Sequence, residues 1–383
     1  MTDWKIPLYK IYSDDEDLNL ITKIIRRGRD WALGPEIEEL ENLLRDYVGT
    51  EYCLTLNSGT SALHSVLLAH GIKQNDEVIV PSFSFISTAN SVLFVNATPV
   101  FSDIESETYG LDPKQISDKI SPKTKAIMPM DYGGMSCKIF EMQEIAKKNE
   151  LILIEDAAES LGSTINGKKT GSIADTSIFS FCGNKVITTG EGGAVVTNSK
   201  EIYEKIKLIR SHGRMDKLSY FQNPNTSNYL QLGYNWRMST LTAALGISQL
   251  NKLDKIIKLR QQNAEYISSN LKKISQIKTP KIPNNYEHIF QLYSILLPNN
   301  DIRKKLQSFL LKNGIFSKIY FEPIHSTEFY KNNFPQNNIH LPVTEKISQQ
   351  ILTLPMYPNM TIDEKNLLVQ TIIEFFEINK FED

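Results

Sequence analysis

Seven short apolar runs, separated by stretches of helical period, constrain this chain more than any other feature of its sequence. They are Tyr52 to Leu56, Glu77 to Val80, Pro99 to Phe101, Ala126 to Met130, Leu151 to Glu155, Thr176 to Phe181 and Ala194 to Thr197. Between them lie segments such as Ala62 to Ala69 and Ile139 to Lys148, where Ile139, Met142, Ile145 and Ala146 recur at near-helical spacing. Strand runs alternating with helical segments are the trace that βαβ units and a parallel sheet leave in a sequence. The four consecutive aliphatics Leu151 to Ile154 fit a strand covered by helices on both faces, which needs apolar side chains on both. The pattern predicts a large, doubly wound α/β domain with a seven-stranded, mostly parallel sheet.

At 383 residues the chain exceeds the size, roughly 250–300 residues, at which a single core stops growing, so a second core is expected. After Met238 the texture changes. Thr240 to Ile274 reads as one helix with little interruption, Tyr293 to Leu297 as a strand and Ile302 to Asn313 as a helix. This places a large domain at 13–250 and a smaller C-terminal α+β domain at 251–383, with residues 1–12 free to pack on either. The Asn-rich stretch Lys331 to Asn338 reads as a surface loop.

The net charge is −2 and the pI about 6.4. No domain-wide basic footprint for nucleic acid or an anionic membrane exists, so any anionic ligand must be held locally. Cys53, Cys137 and Cys182 are too few and too scattered for a disulfide framework or a zinc site, and no metal is expected. With no apolar stretch approaching the roughly 18 residues of a membrane span and no signal-like start, the expectation is a cytoplasmic protein.

Three segments carry chemistry. In Thr55-Leu56-Asn57-Ser58-Gly59-Thr60-Ser61-Ala62-Leu63 a strand turns straight into a helix through small polar residues. Backbone N–H groups at such a start, with the Thr60 and Ser61 hydroxyls, can hold a phosphate; a plain helix cap from Ser58 or Thr60 is the alternative. His64 on the same helix reads as a packed or surface residue. Leu151 to Glu155 ends in Asp156 and Glu159, beyond a strand's C-terminal end, where open α/β sheets bind ligands. Asp156 alone reads equally well as a helix cap. In Ser177 to Ala194 a single lysine, Lys185, stands between an apolar strand and the turn Gly190-Glu191-Gly192-Gly193, with no other charge from Ile178 to Gly190. Such a setting would lower a lysine's pKa toward what Schiff-base formation needs, although a snorkelling surface lysine is the bland reading. Together the three meet the needs of pyridoxal phosphate: a phosphate anchor, a partner for the pyridine nitrogen and a Schiff-base amine. Phe85 could lie over the ring, or be core.

On these motifs the chain resembles the DegT/StrS family of PLP-dependent sugar aminotransferases, of the aspartate aminotransferase fold (fold type I). The similarity runs through Trp31 to Pro35, Asn57 to Leu63, Pro81 to Asn90, Glu155 to Gly162, Phe179 to Gly193, Gly233 to Ser239, Pro323-Ile324-His325, Leu341-Pro342 and Leu354 to Pro358. The resemblance implies that Lys185 holds the cofactor as a Schiff base, that Asp156 faces the pyridine nitrogen and that Phe85 stacks on the ring. Gly59, Thr60, Ser61 and Ser180 would hold the phosphate, joined by Asn235 from a neighbouring subunit, which makes a homodimer with shared active sites. Glu159 would face the ring hydroxyl or the substrate. Where many members read Pro-Val-His-Tyr-Gly-Gly this chain has Pro129-Met130-Asp131-Tyr132-Gly133-Gly134, so no histidine role transfers there. Lys185 argues against the dehydratase offshoot that carries histidine instead.

The implied reaction moves an amino group from L-glutamate to a nucleotide-linked keto sugar, a 4-keto-6-deoxy sugar in the first reading, for surface glycan synthesis. A 3-keto substrate and a non-catalytic regulatory protein are the alternatives. Trp31, Tyr220 and His325 are candidates to flank the sugar or base. Arg26, Arg27 and Arg29, or Arg210 and Arg214, are candidates to meet the diphosphate.

Overall fold

In the computed structural model, which describes residues 4–214, 228–334 and 339–379, the seven apolar runs form one sheet. Along the chain lie β1 (Tyr52–Leu56), β2 (Glu77–Pro81), β3 (Thr98–Ser102), β4 (Thr124–Ile127), β5 (Ile152–Asp156), the short β6 (Thr164–Ile165) and β7 (Lys168–Lys169), β8 (Thr176–Ser180) and β9 (Gly193–Thr197). The large sheet runs β1-β9-β8-β5-β4-β2-β3. Its neighbours are parallel except at β9, which is antiparallel to both β1 and β8. A parallel return needs a crossover, usually a helix. Residues 181–192 between β8 and β9 contain none, so the chain comes back antiparallel.

Helices cover both faces: α1 (Asp15–Arg27), α2 (Pro35–Val48), α3 (Gly59–Ala69), α4 (Ile86–Phe94), α5 (Pro113–Ile116), α6 (Ile139–Lys148), α7 (Lys200–Ile209) and α8 (Thr240–Asn251). Adjacent residues on one strand serve different cores. Ile178 packs with Val66, Leu67 and Ile154, whereas Phe179 packs with Leu44, Val196 and Ile247. That is why these strands read as unbroken apolar runs.

Another core joins Ala264 and Ile267 on α9 (Leu253–Leu271) to β11 (Tyr293–Leu296), α10 (Asn300–Lys312), β12 (Ile351–Leu354) and α13 (Ile362–Asn379); the short β10 (Tyr286–Glu287) pairs with β6 instead. Ile6 is buried in this core and bridges Ile315 in parallel. The single helix expected from Thr240 to Ile274 is instead two, broken at Lys252. The Lys252 side chain is buried, with Nζ 2.7 Å from both Asp14 Oδ1 and Asp17 Oδ2 at the start of α1. Nothing local announces the break, because helical residues flank it on both sides.

Among the described residues no helix is long and apolar enough to cross a membrane, and no three metal-ligating side chains gather.

Candidate active site

The C-terminal ends of β1, β5 and β8 open on a cavity of about 830 Å³. Ser58 caps α3, its Oγ accepting from Ser61 N at 3.0 Å. The N–H groups of Gly59 and Thr60, in the first helical turn, have no intrahelical acceptor, and both residues line this cavity. A Cβ on Gly59 would lie 3.0 Å from Ser180 Cβ, a tight contact that glycine avoids as the helix start approaches the end of β8. Gly59, Thr60 and Ser180 all line the cavity. Ser61 does not. Its N–H is taken by Ser58, and its hydroxyl lies 2.7 Å from Asn57 Oδ1 and 2.9 Å from Ser58 O, so the turn itself uses the groups that were expected to reach a phosphate.

Asp156, the last residue of β5, is buried at the cavity wall. Thr88 Oγ1 donates to its Oδ2 at 2.7 Å, Ala158 N donates to Oδ1 at 3.3 Å, and Ser84 Oγ lies 2.6 Å behind Thr88. Burial pushes the carboxyl pKa up, while the Thr88 and Ala158 donors and the charge of Lys185 oppose the rise. A desolvated carboxylate in this state gains most from one more cationic N–H partner.

Lys185 follows β8 and lines the same cavity. It is charge-isolated in sequence only, since Glu159 Oε1 lies 3.2 Å from its Nζ. Glu159 Oε2 accepts from Gly133 N at 3.0 Å. Gly133 and Gly134 have φ of 64° and 105°, and a Cβ on Gly134 would stand 2.7 Å from Gln291 N. Glycine there lets the turn close against 289–292, and Gln291 Nε2 in turn donates to Asn184 O at 2.7 Å, next to the lysine.

Beneath the site sits an acid pair. Asp131 is buried, with Oδ1 accepting from Cys137 N at 2.8 Å and Oδ2 from Ser160 Oγ at 2.7 Å. Glu155, also buried, accepts from Gly171 N and Ser177 Oγ through Oε2, each at 2.8 Å, while Oε1 has no donor. Burial and the neighbouring Asp131 charge hold the Glu155 pKa well up. Burial also pushes the Asp131 carboxyl up, to about 6, against the Cys137 and Ser160 donors that favour its charge; Glu155, with one oxygen undonated, is the better placed of the two to hold a proton.

Phe85 lines the cavity with 57% of its surface exposed, so it is not a core residue; Phe83 is. Trp31, His325 and Asn235 lie off the lining. Trp31 Nε1 donates to Ile24 O at 3.0 Å, and His325 Nδ1 meets Ser82 Oγ at 2.7 Å. Asn235 is exposed, on a segment with exposed Tyr229, Leu230 and Leu232. Tyr220 lies outside the described residues. His64 packs against Phe94, Tyr234 and Trp236, and burial lowers its pKa to about 4. Sequence reasoning missed Thr88, Tyr9, Asn184, Gln307, Lys318 and Tyr320. The Ser84/Thr88 spacing of one helical turn beside Phe85 could have exposed Thr88; the others carry no local signature.

The donor set fits pyridoxal phosphate: a helix start beside two hydroxyls for the phosphate, a buried carboxylate short of a cation, and an amine, all on one cavity. Comparison with known proteins agrees. The family model described as the DegT/DnrJ/EryC1/StrS aminotransferase family matches residues 12–373. GDP-perosamine synthase of Vibrio cholerae is 33% identical, over 97% of this chain and 99% of that protein. UDP-4-amino-4,6-dideoxy-N-acetyl-beta-L-altrosamine transaminase of Campylobacter jejuni is 35% identical, over 95% and 96%. A solved structure from Helicobacter pylori, an aminotransferase involved in the biosynthesis of pseudoaminic acid, superimposes with a TM-score of 0.91 at 29% identity, covering 97% of this chain and 99% of that one. By sequence, by fold and by the groups on its cavity, this chain belongs to the DegT/DnrJ/EryC1/StrS family of PLP-dependent aminotransferases of fold type I.

Proposed function

We propose that this enzyme transfers the amino group of L-glutamate to carbon 4 of a nucleotide-linked 4-keto-6-deoxy sugar, releasing 2-oxoglutarate and the amino sugar nucleotide. One observation carries the reaction class: Lys185, Asp156 and the Gly59-Thr60 helix start line a single cavity. The substrate class is supported by the two relatives above, one of them named for a 4-amino-4,6-dideoxy sugar.

When bound, pyridoxal phosphate supplies an electron sink for the carbon that loses or gains the amino group. Lys185 Nζ is the base that takes the proton from the glutamate Cα and, in the second half-reaction, returns one to carbon 4 of the sugar. Glu159, 3.2 Å away, orients that amine. Asp156 holds a proton on the pyridine nitrogen, and Thr88 fixes the carboxylate for it. Gly59, Thr60 and Ser180 bind the phosphate, and the Phe85 ring shields one face of the site from water. Asn235 reaches the phosphate site of a second copy, an assignment supported by its exposure beside three exposed apolar side chains. The enzyme is then a homodimer.

The purified protein, loaded with pyridoxal phosphate, is expected to absorb in the near ultraviolet to visible range and to shift its band with glutamate, and Lys185→Ala to lose that shift. A panel of keto sugar nucleotides with product analysis tests the acceptor. Amination at carbon 3 would refute the proposed position, and a wild type without the glutamate response would refute the activity.

A further inference from the structure

An anionic group of a substrate entering this cavity needs a local cation, because the chain as a whole is close to neutral. None of the arginines nominated from sequence lines the cavity. Arg27 Nη1 is 2.8 Å from Glu36 Oε1, and Arg210 Nη1 is 2.5 Å from Glu41 Oε1 and 2.6 Å from Thr55 O. Two basic side chains do line it, Lys185 and Lys318. Lys185 is committed to Glu159 and to the chemistry. Lys318 forms no ion pair among the described residues.

Its position is fixed at the root and open at the tip. Lys318 N donates to Thr353 O at 3.0 Å and Thr353 N to Lys318 O at 2.8 Å, which ties its backbone to β12. The side chain is exposed, and Nζ lies 5.0 Å from the centroid of the Tyr320 ring on the same wall. The lining also carries Asp156, Glu159, Glu191 and Glu322. Apart from Lys185 and Lys318, the charged side chains on this lining are all carboxylates.

We propose that Lys318 is the subsite for the diphosphate of the acceptor, and so a specificity-determining residue for the second half-reaction. This rests on the nucleotide-sugar reading above. Depth distinguishes the diphosphate from the donor's α-carboxylate. That carboxylate is one bond from the reacting carbon and must lie beside Lys185, whose side chain is only 13% exposed. A diphosphate sits across the sugar ring from the ketone, toward the exposed mouth where Lys318 stands.

Calorimetric titration of the cofactor-loaded protein with UDP, GDP and dTDP, together with kinetics in which glutamate and the keto sugar nucleotide are varied separately, tests this. Lys318→Ala is expected to weaken the preferred diphosphate about 10- to 100-fold, the range of a charge-assisted hydrogen bond. It should raise KM for the nucleotide sugar by a similar factor, with KM for glutamate unmoved. Lys318→Arg, which keeps the charge, should recover most of the loss, and added salt should narrow the gap. Equal diphosphate affinity in wild type and Lys318→Ala overturns the subsite while leaving the aminotransferase reading intact. So does a wild type that answers glutamate spectrally yet binds none of the three diphosphates. A rise confined to the glutamate KM also overturns it, by moving Lys318 to the donor. A wild type silent toward glutamate overturns the functional reading and this inference with it.

Discussion

Asp131 and Glu155 show how two carboxyl groups can share a dry interior without a cation. Both oxygens of Asp131 already accept hydrogen bonds, so it is suited to carry the charge, and the unmatched Glu155 Oε1 is suited to carry the proton. A carboxyl whose pKa is raised by folding binds its proton more tightly in the folded state. The contribution of Glu155 to stability is therefore full at acid pH and falls as pH climbs from the ordinary glutamate value of 4.5 toward the raised one. Glu155→Gln supplies a permanent donor in the same place. Its urea midpoint should vary less with pH above about 5 than that of the wild type; an identical slope would refute the shared proton. Asp131→Asn instead turns an amide N–H toward Cys137 N–H or Ser160 O–H and should cost about 1–3 kcal/mol above about pH 6 and less below it, where the wild-type carboxyl, raised by burial to about 6, is itself neutral; the same titration measures it. Asp156→Asn cannot hold a proton on a pyridine nitrogen as a carboxylate does. It should lower kcat by orders of magnitude while leaving the thermal midpoint of the cofactor-free protein near that of wild type or above it, because it also removes a desolvated charge.

Helix α4 does more than cover the sheet, since Thr88 in its first turn sets the carboxylate at the end of β5. Thr88→Val keeps the shape and removes the donor. Cofactor affinity should drop by the worth of a hydrogen bond to a charged group, about 1.5–3 kcal/mol, as read by equilibrium dialysis. At the α8–α9 break, Lys252→Ala leaves buried Asp17 without its ammonium. That should cost about 3 kcal/mol near neutrality, and less as acid protonates the aspartate, whose pKa the pairing lowers. The strands of the large sheet were legible because doubly covered parallel strands are apolar on both sides, Asp156 because it ends one, and Lys185 because it is the single charge in the apolar stretch that follows another. The reversal of β9 and the break at Lys252 were not, because each depends on what the chain meets elsewhere. The local bonding of Ser61 was hidden for a related reason: sequence places hydroxyls at a helix start but does not say which one the cap engages. Lys318 and Tyr320 sit in a segment without motif, and only the packing of β12 brings them to the cavity.

For the whole molecule, the proposed sharing of sites has a direct consequence. Lys185→Ala and Asn235→Ala homodimers should each be impaired. Subunits mixed after mild dissociation should regain up to about a quarter of wild-type activity, because half of the dimers formed at random are mixed and each such dimer has one site with both groups intact. No recovery on mixing would place Asn235 in its own subunit's site or in none. Within one chain, the same dispersal acts in time. Ile6 has its bridge partner in Ile315, β1 lies beside β9, and the peptide before Lys185 is held by Gln291. A ribosome releases these partners in the reverse of a convenient order, so the first residues made wait longest for their place. Contacts this distant in sequence slow folding and leave apolar edges open meanwhile. The wall of the cavity that carries Lys318 and Tyr320 is accordingly among the last parts to be completed, since it waits for β12 to be made.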